Sequence, residues 1–131
     1  MSKNPVVHFE MPYEDGERLS KFYAQAFDWK MDDMGEQMGN YIMAHGAETD
    51  ENNMVKNPGN INGGFFPRNA DSPNQSPSVV IAVEDINVAI EKIKEAGGEV
   101  LGEPMEIPTV GMYVSFRDTE GNLVSLIQGL G

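Results

Sequence analysis

The 131-residue chain has no cysteine. That absence removes disulfide frameworks, zinc–thiolate centres and thiol nucleophiles together, and it suits a reducing cytoplasm. Basic residues are scarce: nine Lys and Arg stand against 21 Asp and Glu, for a formal net charge of −12. A chain so acidic repels a polyanion, so no nucleic-acid partner is expected. Long apolar runs are missing as well. No window approaches the roughly 18 consecutive apolar residues of a membrane span, and "MSKNPVVHFEMP" lacks the apolar core of a secretory signal. Phosphate-loop, hydrolase-elbow and zincin motifs have no counterpart either. The expectation is a soluble cytoplasmic protein with no membrane partner.

What is present reads as one domain of ordinary size, large enough to bury a core without staples. "PVVHFEM" is a short β-rich run. In "EDGERLSKFYAQAF", Leu19, Phe22, Tyr23, Ala26 and Phe27 recur at helical spacing, which predicts a helix packed along one side. "WKMDDM", "GNYIMAHG" and "NINGGFF" supply three more strands, with the polar stretch "AETDENNMVKNPG" as a loop. The order is β-α-β-β-β over residues 5–66.

A proline-bearing linker follows at 67–77, and then the plan repeats over 78–128. "SVVIAV" is a strand, and "EDINVAIEKIKEAG" a helix with Ile86, Ala89, Ile90 and Ile93 on one face and Gly97 just past its end. "EVLGEPMEIP", "MYVSF" and "NLVSLIQ" are the last strands. Spacing supports a duplication. His8 precedes Asp15 by seven residues, as Ser78 precedes Asp85. Gly59-Asn60-Ile61 likewise lies over Gly121-Asn122-Leu123.

The paired βαβββ modules, the opening "HFEMPYEDGERLSKFYAQAFDW", the second start "VVIAVEDINVAIEKIKEAGGEV", "EPMEIPTVGMY" and the closing "DTEGNLVSLIQ" resemble the vicinal oxygen chelate superfamily. That superfamily includes glyoxalase I, bleomycin-resistance proteins and extradiol dioxygenases. The resemblance implies an α+β fold: two βαβββ modules in tandem, forming curled mixed sheets around a cavity. It also implies a homodimer.

Metal-dependent relatives carry one ligand on the first and one on the last strand of each module. Carried over by motif, these positions are His8, Gly63, Ser78 and Ser125, of which only His8 is a good donor. A catalytic divalent metal needs three or more His, Asp or Glu ligands. This is therefore identified as a branch lacking the full ligand set, with no cofactor expected; Zn, Ni, Fe or Mn is the alternative.

Period-two alternation puts His8, Glu10 and Pro12 on one strand face, opposite Phe9 and Met11. His8 and Glu10 are then candidate catalytic residues, as a proton-transfer pair. Trp29, Met43, Tyr113, Ser78 and Ser125 are candidate ligand-binding residues of an apolar pocket. Ser125 stands out as a lone hydroxyl within "NLVSLIQ". The leading functional expectation is a protein that binds a small apolar or aromatic molecule in the cavity without a catalytic metal. A divalent-metal-dependent lyase, isomerase or dioxygenase of the glyoxalase kind, and a non-catalytic interaction subunit, are the alternatives.

Overall fold

Two aspartates start the two helices. In the computed structural model, which describes residues 3–52, 54–69, 71 and 76–129, the Asp15 carboxylate accepts from the Arg18 backbone N–H at 3.0 Å. The Asp85 carboxylate accepts from those of Asn87 and Val88 at 3.0 and 3.2 Å. Each supplies an acceptor to N–H groups that a helix's own ladder leaves unpaired. The helices are α1 (Gly16–Phe27) and α2 (Ile86–Glu95). Gly97, at φ 101°, takes the left-handed conformation that ends α2.

The chain divides into two units, one running from His8 to Pro77, the other comprising the chain up to Val7 and from Ser78 on. The first contains most of β1 (Val6–Tyr13), then α1, β2 (Lys30–Asp33), a single 3₁₀ turn at Glu36–Met38, β3 (Ile42–His45) and β4 (Asn62–Pro67). Its strands lie in the order β2-β3-β4-β1, with β1 and β4 parallel and the other pairs antiparallel. The second contains β5 (Ser78–Ala82), α2, β6 (Glu99–Ile107), β7 (Gly111–Arg117) and β8 (Leu123–Gly129). Its order is β5-β8-β7-β6, again with only the first and last strands parallel. Both units are thus βαβββ modules of one mixed α+β plan. Part of the 67–77 linker falls outside the described residues.

Each helix covers one face of its strands. In the second module Ile86 and Ile90 of α2 close a core with Val83, Val114, Phe116 and Leu126. In the first, Ile42, Ala44 and Phe65 form the buried centre, with Phe9, Met11, Leu19, Tyr23 and Trp29 packed around it. The stripe expected along α1 is only partly covered. Leu19 and Tyr23 meet the cluster, whereas Phe22 and Phe27 stay 56% and 58% exposed.

Candidate functional site

Since Phe9 and Met11 face α1, alternation turns His8 and Glu10 to the other side of the first module's strands. Register decides what joins them. Glu10 pairs with Gly64 across β1 and β4, and Gly64 with Met43 across β4 and β3. Residues directly opposite share a face, so Glu10, Gly64 and Met43 lie together, and Tyr41 follows by alternation from Met43.

The three polar side chains form one hydrogen-bonded series. The Tyr41 hydroxyl donates to Glu10 Oε2 at 3.1 Å, and His8 Nε2 lies 2.9 Å from the same hydroxyl. A phenol has a single proton, and here it goes to the carboxylate. His8 Nε2–H must then be the donor to the tyrosine oxygen, which leaves Nδ1 as the acceptor nitrogen of a neutral ring. Burial supports the neutral form: desolvation holds the His8 imidazole down at about 4. Farther along the same face, His45 Nε2 meets Asp32 Oδ2 at 2.9 Å. Asn62 accepts from the Ala47 backbone N–H at 2.7 Å, tying the long loop to the start of β4.

Gly64 explains how the tyrosine fits. A Cβ placed on it would fall inside the Tyr41 phenol, so the ring occupies space that any side chain at 64 would need. This corrects the sequence assignment by one residue. Val80 and Ser125 pair in the second module as Glu10 and Gly64 do in the first, so the counterpart of Ser125 is Gly64. Gly63 points the other way, toward the Phe9 ring. The slip arises because Gly59 to Gly64 is five steps while Gly121 to Ser125 is four. One extra residue inverts which side of a strand is read.

Ser125, 1% exposed, is not an orphan hydroxyl. It hydrogen-bonds the Tyr113 hydroxyl at 2.7 Å and the Ser115 hydroxyl at 2.8 Å. Ser78 is two residues from Val80 and shares its side of β5. Of the candidate ligand-binding residues, Met43 shares the His8 face, while Tyr113, Ser125 and Ser78 belong to the second module. Trp29 is a correction. It stacks on Tyr23 at 4.9 Å and packs near Phe9 at 5.7 Å, so it is a wedge in the α1-side core, away from the His8 face.

The donor set of the inferred metal positions does not suit a divalent ion. Gly64 offers no side-chain donor, His8 Nε2 is committed to Tyr41, and the Ser125 hydroxyl is held between Tyr113 and Ser115. Among the described residues no three His, Asp or Glu side chains converge as a metal centre requires. Sequence reasoning did not single out Tyr41 or Ser115 as site residues. The available signal was the glycine pair at 63 and 64, which lets an aromatic ring lie flat on a strand.

Among the described residues no helix is long and apolar enough to cross a membrane. Comparison with known proteins agrees with the topology. A relative from Didymella fabae, a glyoxylase-like domain-containing protein, is 30% identical over 120 residues, covering 89% of this chain and 88% of that one. A Streptomyces coelicolor methylmalonyl-CoA epimerase variant in complex with 2-nitronate-propionyl-CoA superposes with a TM-score of 0.73 at 16% identity, over 99% of this chain and 100% of that one. The Mycobacterium tuberculosis methylmalonyl-CoA epimerase gives 0.65 at 12% identity, over 96% and 88%. At such identities the likeness to the epimerases is one of fold. The sequence profile that matches residues 6–126 completes the case, and with the two βαβββ modules it shows that the chain belongs to the Glyoxalase/Bleomycin resistance protein/Dioxygenase superfamily.

Proposed function

We propose that the protein binds a small apolar or aromatic molecule at the His8–Tyr41–Glu10 face of its first module, without a catalytic metal. One observation carries this reading: a histidine, a phenol and a carboxylate are joined in series on the strand face that α1 leaves uncovered. A ligand hydroxyl or N–H would donate to the Glu10 carboxylate, and Met43 supplies adaptable apolar contact beside it. The test is a thermal-shift screen of small aromatic molecules on the whole chain, alongside elemental analysis of protein purified without chelator. A ligand specific for the folded state raises the melting temperature, and Tyr41→Phe reduces that rise. One equivalent of metal per chain, lost in His8→Ala, overturns the metal-free reading. A library that shifts nothing favours the interaction-subunit alternative.

The shared tyrosine favours a second reading, in which the same series transfers protons on the bound molecule. Glu10 accepts a proton from an acidic C–H, and the Tyr41 hydroxyl, no longer needed by the protonated carboxyl, turns its hydrogen bond to the oxygen that gains charge. The check is deuterium incorporation from D₂O into a bound hit, expected to slow at least about a hundredfold in Glu10→Gln, the low end of general-base contributions being about 10². The resemblance also supports a cytoplasmic homodimer, expected in light scattering at twice the 14.4 kDa chain mass.

A further inference from the structure

The aromatic stripe of α1 that the core does not use borders an open groove of about 530 Å³, lined by Pro12, Tyr13, Arg18, Phe22, Tyr23 and Arg68 among others. It lies at the end of β1, the start of α1 and the end of β4, within the first unit. Its volume falls in the range of small-molecule sites. Its apolar wall includes Phe22, 56% exposed and set edge-on to Tyr23 with ring centroids 5.0 Å apart. Such an exposed aromatic has surface to gain from a planar partner.

Charge narrows the partner. The chain has only three arginines, Arg18, Arg68 and Arg117, and two of them line this groove. Two carboxylates, Glu14 and Asp15, also line it. Glu14 pairs with Arg68 at 3.3 Å, and Asp15 caps α1 through the Arg18 backbone N–H. Among the described residues the Arg18 guanidinium has no ion-pair partner. Arg18 and Phe22 are four residues apart on one helix, so they present the same side. A guanidinium fork one helical turn from an exposed ring matches a flat molecule with a carboxylate at one end.

We propose that this groove is a second binding site, separate from the His8 face, for a planar aromatic anion. Arg18 takes the anionic group and Phe22 takes the ring, while Arg68 stays paired with Glu14.

The test uses three probes of one shape, 2-naphthoate, 2-naphthamide and 2-naphthylmethylamine, titrated into the whole chain. Two readouts apply: backbone amide NMR, and the fluorescence of Trp29, the sole tryptophan, which stacks on Tyr23 of the groove wall. Naphthoate is expected to saturate, moving the amides of Arg18, Phe22 and Arg68 and the Trp29 emission together. Arg18→Gln and naphthamide should each weaken binding by about tenfold, the scale of one lost charge-assisted contact. Phe22→Ser should weaken it for every probe. Both altered side chains are on an exposed stretch of α1, and their circular dichroism should match the parent. Naphthoate that moves no groove amide, binds Arg18→Gln equally well, or binds more weakly than the amine overturns the proposal.

Discussion

The two modules share a plan and differ in what they do with it. On the helix side, α2 buries Ile86 and Ile90 in an aliphatic core, while α1 buries no residue fully and leans its aromatics on Phe65, Phe9 and Trp29. On the other side, the second module holds a ladder of neutral hydroxyls, Tyr113–Ser125–Ser115, whereas the first holds His8, Tyr41 and Glu10 in series. Both histidines of the chain lie in the first module. Duplication supplies the frame, and the residues set on it give one half a His–Tyr–Glu series and the other a ladder of neutral hydroxyls.

The largest expected effect breaks this comparison at equivalent core positions. Phe65 and Leu126, 1% and 3% exposed, each follow the Gly64/Ser125 position on the last strand of their module. Phe65→Ala should cost about 3–5 kcal/mol and Leu126→Ala about 2–5, read from urea unfolding midpoints. The aromatic centre should prove the more costly, because more ring neighbours lose contact.

Exchanging the faces comes next. Gly64→Ser installs the second module's residue in the first, where its Cβ meets the Tyr41 ring. Overpacking of this kind costs about 1–3 kcal/mol, and shortening the neighbour in Gly64→Ser/Tyr41→Ala should recover part of it. The converse change, Ser125→Ala, removes the centre of the hydroxyl ladder at a comparable cost of about 1–3 kcal/mol, since buried hydroxyls lose a partner.

Acid stability separates the modules as well. Unfolded, His8 titrates near 6.5; folded, it does so at about 4. Between those values the unfolded chain binds more protons, so stability rises with pH across the window. The contribution is full above about 6.5 and is lost as pH falls toward 4. His8→Gln should flatten this limb in urea midpoints measured from pH 4 to 7, with the carboxylate contribution common to both proteins.

The smallest expected difference lies in the caps. Asp15→Ala and Asp85→Ala should each cost about 1 kcal/mol. Asp85 should cost the more of the two, because its carboxylate serves two N–H groups where Asp15 serves one.

Much of this framework was legible in the sequence because period and punctuation are local. The Asp caps, the aliphatic stripe of α2 and the Gly97 stop could be read within a few residues of each other. The register of β4 could not. A single extra residue between Gly59 and Gly64 leaves composition and alternation intact while exchanging the faces of Gly63 and Gly64. Tyr41 was hidden for a related reason. Its partners His8 and Glu10 are 33 and 31 residues away in the chain, and only the β3–β4–β1 pairing brings them together. Trp29 looked like a pocket residue because a lone tryptophan after a helix carries no sign of which face it joins; Tyr23 and Phe9 decide it. Ser125 was visible as an anomaly in an apolar strand, and its explanation lies across the strand pair, at Ser115 and Tyr113.

The central claim is that His8 is a neutral imidazole in a metal-free His8–Tyr41–Glu10 series. The most direct measurement follows the His8 imidazole nitrogens by NMR from pH 7.5 to 3.5, with and without one equivalent of Zn²⁺. The account predicts a neutral ring protonated on Nε2, a midpoint at about 4, and signals that zinc leaves in place. A midpoint near 6.5, or His8 signals that move stoichiometrically with zinc, would contradict it.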